Sequence, residues 1–376
     1  FIGTFNSRVD DLIFLTDDEK NVYKKQNEDA VINHVIPGYN ALITTLASFK
    51  GTNQYSGGIC NYPDGARYFE GLLESCLGWS KSIDEYNDLL DSYIRSYSIV
   101  MQKLLRKDPY LNSQFGTFSF GIDKPDQIIE DLKKKITDDY PALNDVNYNI
   151  NYVSEALNDY ASPAMYFMPQ IDNLDINSIY INSAGTDSSD LYPTLAHEGY
   201  PGHLYQTNYF LSTNPSPLRT FLHCDGYDEG WGTYAQLYSY NFTEFKDVDE
   251  KTQAQLRQLY RDNDLLSLSL SSLSDLYVNY KNYDENALAD YLKTYGIDKS
   301  ATKQLYQYVI ENPVTYLSYS IGYYELNKLE KEMAASLGKS FKISDFHEAV
   351  LNVGSCNFAI LSQEIEKETE ILSKVP

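Results

Sequence analysis

His197 and His203 stand six positions apart, with Glu198 directly after the first and Pro201-Gly202 directly before the second. No other feature constrains the chain as tightly. On an unbroken α-helix a residue four positions on lies about 40° around the axis, whereas one six positions on lies about 120° away and faces elsewhere. Pro201 has no N–H for the carbonyl of His197, and Gly202 tolerates backbone angles that other residues avoid. A helix running from Tyr192 is therefore expected to break or bulge at Pro201-Gly202, returning His203 toward His197. Two imidazoles and a carboxylate at such a break match a catalytic zinc, which wants two or three neutral imidazoles, often one carboxylate, and an open position for water. Taken as structure alone, the stretch is a capped helix end with two incidental histidines. The chain has only five histidines, which argues against coincidence.

A third ligand has to come from another helix, and Glu229 in Asp228-Glu229-Gly230-Trp231-Gly232-Thr233-Tyr234 follows at a distance that suits a helix–loop–helix return. By itself a glutamate near a helix start is an ordinary dipole partner. The glycines beside Trp231 suggest close packing under a buried ring.

The rest of the chain gives this stretch a helical setting. Thr16 with Glu19, and Ser82 with Glu85, form capping-box patterns that open helices to Ala30 and to about Leu105; Pro125 opens another, to about Asp138. Short runs rich in tyrosine, isoleucine and valine follow at Tyr148 to Val153, Ala164 to Met168 and Ser178 to Asn182, and read as a small antiparallel sheet. Helical periodicity returns from Tyr192 nearly to the C-terminus. The expected organisation is an N-terminal helical layer over residues 1–140 packed as one unit with a catalytic region over 141–376. Lys133-Lys134-Lys135 reads as a solvated helix face, His347 as a structural residue in a helix capped by Ser344, and His34 has no chemical neighbour in sequence.

Composition excludes some partners. A chain of 376 residues, 43% hydrophobic, can bury a sizeable core. Its 30 lysines and arginines against 53 aspartates and glutamates give a formal charge of −23, which repels phosphate backbones and anionic lipid heads. No apolar run approaches the roughly 18 residues of a transmembrane helix. The four cysteines are scattered and read as buried thiols. The 35 tyrosines suit a wide polar cleft, since each buries a ring and keeps a hydroxyl at a wet edge. Opening on Phe1, the chain is expected to be a processed or truncated product.

The residues resemble a known family, the bacterial domain-of-unknown-function family 885, many of whose members are lipoproteins and which is grouped with the gluzincin-type zinc peptidases. The resemblance rests on His197 to His203 followed by Gln206, on Glu229 to Tyr234, and on a C-terminal block from Pro313 through Tyr319-Ser320-Ile321-Gly322 to Phe346-His347-Glu348 and Gly354. Tyr62-Pro63-Asp64-Gly65 adds an N-terminal echo, so the match runs from about Pro37 to Leu361. The chain departs from the pattern at Gly232, Gln236, Asn279 and Asn357, where alanine, glutamate, histidine and proline are usual.

The resemblance implies a mainly α, zincin-like catalytic fold with a small antiparallel sheet beside the metal helix. It implies zinc on His197, His203 and Glu229, with Glu198 as general base and Tyr319 as donor to the carbonyl oxygen. Tyr316 and Tyr323 compete for that last role. The strand ending at Asn182 resembles an edge strand that lays out an extended peptide, which makes Tyr180, Asn182 and Tyr316 substrate-binding candidates. Trp231, Tyr234 and His223 are candidates for supporting the ligands from behind. The expected function is a zinc metallopeptidase acting on oligopeptides. The alternatives are an inactive binding scaffold of the same architecture and a zinc amide or ester hydrolase on a non-peptide substrate. An intact Glu198 favours an enzyme, since a scaffold has no need of the base. The resemblance also favours an extracytoplasmic, secreted or lipid-anchored location.

Overall fold

The computed structural model describes residues 1–78, 81–170, 173–174, 176–184 and 190–374. They form two compact units, Phe1–Ser56 and Gly57–Pro376. In the first, helices α1 (Ile2–Asp10) and α2 (Asp17–Ala30) are followed by a π-helical turn and α3 (Ile36–Ser48). Thr16 closes the expected capping box: its hydroxyl accepts from the Glu19 amide, and the Glu19 carboxylate accepts from the Thr16 amide at 2.8 Å.

The larger unit carries α4 (Gly65–Leu77), α5 (Ile83–Lys107), α6 (Pro109–Gln114), α7 (Pro125–Lys135), strands β1 (Tyr148–Tyr152), β2 (Ala164–Phe167) and β3 (Asn177–Ile181), and then α8 (Leu191–Glu198), α9 (His203–Ser212), α10 (Asp225–Ser239), α11 (Glu250–Asn279), α12 (Glu285–Lys293), α13 (Lys299–Glu311), α14 (Thr315–Leu337), α15 (Ile343–Val353) and α16 (Phe358–Leu372). Ser82 and Glu85 cap α5 as expected. That helix lies along α11 and buries Tyr86, Leu90 and Ile94, one face of a 3.6-residue period. Each such side chain taken from water contributes roughly 1.5–3 kcal/mol. The expected division near residue 140 falls inside this unit: Leu132, Ile136 and Tyr140 share one core with Leu195, Trp231 and Leu351.

The sheet differs from expectation. All three strands form where the sequence places them, but their order is β1-β3-β2, with β2 antiparallel to β3 and β1 parallel to it. The sheet is therefore mixed. β1 and β3 both run against β2, so once β3 takes the centre its pairing with β1 has to be parallel. A second expectation falls with the first, because the strand expected to end at Asn182 is central and the edges are β1 and β2. A third correction concerns α15, which begins at Ile343 behind Lys342, so that Ser344 lies inside the helix and caps nothing.

Helices α10 and α14 make the closest pairing of the unit. Gly230 and Gly322 meet there, and a Cβ built on Gly230 would sit 2.6 Å from the Gly322 backbone. No side chain separates the helices at this crossing. Among the described residues, no helix is long and apolar enough to cross a membrane.

Candidate metal centre

Helix α8 runs out at Glu198, and the chain turns through Gly199, a cis Tyr200–Pro201 bond and Gly202 before α9 starts at His203 itself. The break expected from Pro201-Gly202 is present and begins earlier, at Gly199. Close approach fixes Gly202, since a Cβ there would lie 1.8 Å from the His197 carbonyl oxygen. Two hydrogen bonds hold the turn: the Tyr205 amide donates to the Gly199 carbonyl at 3.1 Å, and the Trp231 indole Nε1 donates to the Pro201 carbonyl at 2.9 Å.

The turn brings the two imidazoles together, ring centroids 4.7 Å apart and nearly perpendicular. Glu229, on the first turns of α10, meets both. Nε2 of His197 and Nε2 of His203 each lie 3.4 Å from Glu229 Oε2. One ligand atom from each of the three residues fits within 4.8 Å of the others. Glu229 Oε2 is buried and, among the described residues, accepts no well-formed hydrogen bond. Two imidazole nitrogens and a carboxylate oxygen that converge on one point can share a cation. This donor set fits zinc.

The electrostatics agree. Burial alone would lower the His203 pKa, but the hydrogen bond and charge of Glu229, backed by Glu198 and Asp228, overcome it and push it up to about 9. Burial alone would raise Glu229, yet the two histidines hold it well below the ordinary carboxylate range. His203 and Glu229 thus each hold the other in its charged form.

Glu198 does not join the cluster as a ligand. Its Oε2 accepts a hydrogen bond from the backbone amide of Tyr166 on β2 at 2.7 Å. The edge strand therefore orients the carboxylate, and the Tyr166 hydroxyl is itself tied to Asn177 Oδ1 at 2.6 Å. Tyr319 lies on the other side, its ring parallel to His197 at 5.8 Å. Burial and then the Glu229 carboxylate keep its phenol far above the usual range, so it stays protonated and can donate.

These residues line one cleft of about 1510 Å³, with Tyr316 on its wall. Tyr323 is turned away, its ring against Tyr234 and Tyr324. Tyr180 and Asn182 are not in the cleft. The Asn182 amide is spent on the carbonyls of Asn158 and Ala161 at 2.8 and 2.9 Å, and the Tyr180 ring packs on Phe167 at 5.2 Å. The cleft wall is built instead by β2 residues, Met165 to Phe167 among them.

The expected supporting residues divide. Trp231 is fully buried and pins the ligand turn. Tyr234 stacks on Trp231 at 5.8 Å and places its hydroxyl between Glu330 Oε2 at 2.8 Å and His347 Nε2 at 3.0 Å, away from the ligands. His223 is exposed at the cleft and pairs with Asp228 Oδ2 at 3.3 Å, not with a ligand. His347 is structural: Nδ1 reaches the Asp139 carbonyl at 2.6 Å, and burial drives its pKa down to about 3.

Sequence reasoning missed three positions. Gln206 brings Oε1 to 3.5 Å from His203 Nδ1, a neighbour readable from its place one turn after the ligand. The Tyr166 amide had no sequence signal. Gly232, in sequence only a departure from the family pattern, lies against a candidate ligand: a Cβ there would come within 2.6 Å of His197 Nε2.

Fold and centre together define a predominantly helical protein with a His–His–Glu cluster on the wall of a broad cleft. The chain belongs to the family described as bacterial protein of unknown function, DUF885, whose model matches residues 3–365. No curated protein matches it. Two solved structures are similar in fold. One is the putative lipoprotein from Colwellia psychrerythraea, with a TM-score of 0.84 and 19% identity over 98% of this chain and 66% of that one. The other is a putative lipoprotein of unknown function from Shewanella oneidensis, with a TM-score of 0.60 and 18% identity over 96% and 69% of the two chains. This chain thus spans just under two-thirds of the first.

Proposed function

We propose that the chain is the catalytic part of a zinc-dependent peptidase that hydrolyses oligopeptides. The observation that carries the reading is the convergence of His197, His203 and Glu229 on one point while Glu198 stands beside them, uncommitted to that point and aimed from β2. Zinc held by those three would supply Lewis-acid polarisation of water and of a carbonyl.

The remaining work falls to the chain's own groups. Glu198 spends one oxygen on the Tyr166 amide and keeps the other for the attacking water, whose proton it takes and passes to the leaving amine. Tyr319, protonated and beside His197, donates to the oxygen on which negative charge develops. The peptide lies along β2. Pairing with β3 commits the Pro163 carbonyl inward, toward the Asn182 amide, and the Tyr166 amide points outward to Glu198. Alternation along the strand then turns the main-chain groups of Ala164 outward as well, on the side that an extended chain would take. The cleft supports a peptide substrate, and the likeness to two proteins described as putative lipoproteins supports an extracytoplasmic location.

The experiment is zinc stoichiometry and hydrolysis of a mixed peptide library for the parent, Glu198→Gln and His203→Ala. In Glu198→Gln the side-chain amide oxygen can still accept from Tyr166, so zinc stays bound while hydrolysis drops by roughly 10²–10⁴. His203→Ala loses the metal. Full activity in Glu198→Gln defeats the mechanism, and an inert, zinc-loaded parent leaves the scaffold reading.

A further inference from the structure

Among the described residues that line the cleft, Arg219 is the one with a permanent positive charge. Its surroundings are unusual for so acidic a protein. The chain has 53 acidic side chains and 30 basic ones, yet the Arg219 guanidinium forms an ion pair with none of the described carboxylates. Arg219 is held by neutral groups. Nη2 donates to the main-chain carbonyls of Val353 and Ser355 at 2.8 and 3.0 Å, and the guanidinium carbon lies 5.5 Å from the centre of the Phe210 ring. Phe210 is itself seated against Gly354, which takes a left-handed φ of +69°; a Cβ there would come within 2.3 Å of the ring.

One nitrogen of the fork is thus fixed by the backbone, and the guanidinium lies over an aromatic ring. The charge is unspent, on the same cleft as the metal cluster. Ser355 links this corner to the centre, since its hydroxyl accepts from the Cys224 amide at 2.8 Å and donates to Asp228 Oδ2 at 3.0 Å, one residue before the ligand Glu229. Asp228 is engaged by Ser355 and by His223, so its charge is already met locally.

We infer that Arg219 is the binding residue for the C-terminal carboxylate of the peptide, and that the chain cleaves near that end. The inference rests on the peptidase reading and adds a substrate class to it. A carboxylate is the anion a peptide always carries at one end, and the planar guanidinium matches it in a way that a lysine would not. Broken in the middle of a long chain, a peptide would leave this charge unpaired. With its last residue seated here, the scissile bond falls within a few residues of the terminus.

The test uses the zinc-loaded chain and N-acetylated hexapeptide mixtures of neutral residues, made as free acids and as C-terminal amides, with a third set of amides carrying one glutamate. Cleavage is followed by mass spectrometry. Retention on zinc-loaded Glu198→Gln is followed by ultrafiltration, which reads binding whether or not the parent turns over. Free acids are expected to be retained and cleaved about 10- to 100-fold better than neutral amides, the range for a hydrogen bond to a charged group. Cut sites should cluster near the C-terminus.

Arg219→Met should erase the acid-over-amide preference and lower the melting temperature, since the carbonyls of Val353 and Ser355 lose their donor, while Arg219→Lys should keep part of the preference. Equal retention of acids and amides by the parent overturns the inference. So does an Arg219→Met variant that weakens both sets alike, which would mark a purely structural arginine. Glutamate-bearing amides that match the free acids overturn the C-terminal assignment in favour of a side-chain carboxylate. If neither set is cleaved but acids are still retained selectively, it is the peptidase reading that fails while the carboxylate site stands.

Discussion

Replacing Trp231 by phenylalanine should loosen zinc before it unfolds the protein. The indole N–H is the donor to the Pro201 carbonyl, at 2.9 Å and fully buried, and Pro201 lies in the turn that swings His203 back to His197. Phenylalanine keeps an aromatic ring in the stack and removes the donor. A buried carbonyl left without a partner costs about 1–3 kcal/mol. The turn can avoid that cost only by moving, and moving it separates the two imidazoles, now 4.7 Å apart between centroids. At 1.4 kcal/mol per decade the loss corresponds to roughly 5- to 150-fold in zinc affinity, the span seen when groups that orient metal ligands are removed. The assay is competition for zinc against a chromophoric chelator, with melting temperature recorded on the same samples. Tyr234→Phe is the control. It removes a buried hydrogen bond from the same aromatic stack, one that reaches Glu330 and His347 and not the turn. It should lower stability by a comparable amount and leave zinc affinity within about threefold of the parent. If Trp231→Phe holds zinc as tightly as the parent, or Tyr234→Phe loosens it equally, the turn is not what sets the affinity.

Other outcomes follow from single contacts. Tyr319→Phe should lower kcat by roughly 10²–10³ with zinc content unchanged, as expected for a lost donor to the developing oxyanion. Gly202→Ala should abolish zinc binding, since its Cβ would meet the His197 carbonyl oxygen at 1.8 Å and no rotamer relieves a backbone clash; zinc stoichiometry and circular dichroism report it. Gly322→Ala should destabilise by about 1–3 kcal/mol or more in urea melts, because its Cβ would meet the Gly226 carbonyl at 2.1 Å. Asp264 gives a pH dependence. Burial, with Asp190 adding to it and Tyr240 and Gln236 opposing it, raises its pKa to about 6, so the folded protein keeps a proton that the unfolded chain has released. Its share of stability is fully present below about pH 4 and is lost as pH rises through 6, by at most about 3 kcal/mol; Asp264→Asn should flatten that part of the stability profile.

What the sequence disclosed and what it hid divide along contact range. Capping boxes at Thr16 and Ser82 are local chemistry and were readable, as were three strands and the helix break between the histidines. Strand order was not. Tyr148, Ala164 and Asn177 each announce a strand, but which strand sits in the middle is decided by the crossover between β1 and β2, and on that choice hung the identity of the edge. The candidate ligands stood out in the sequence because a zinc site, as proposed, draws on a narrow set of residue types. The supports around them come from distant parts of the chain: a β2 amide aims Glu198, and an α10 indole holds the turn between the histidines. The same holds for Arg219, an ordinary basic residue in sequence whose character comes from the carbonyls of Val353 and Ser355.

The glycine crossing of α10 and α14 sets a division of labour within the molecule. Glu229 and Tyr319 belong to two helices that touch main chain to main chain at Gly230 and Gly322, so the gap between ligand and hydroxyl is gauged by the backbone itself. Repacking a side chain cannot widen it. The far wall of the cleft is made differently, from β2 and from the connections around Arg219 and Gly354, where residues can be exchanged without shifting that crossing. On the peptidase reading proposed above, the spacing of the two groups is thereby held by the main chain while the opposite wall can vary.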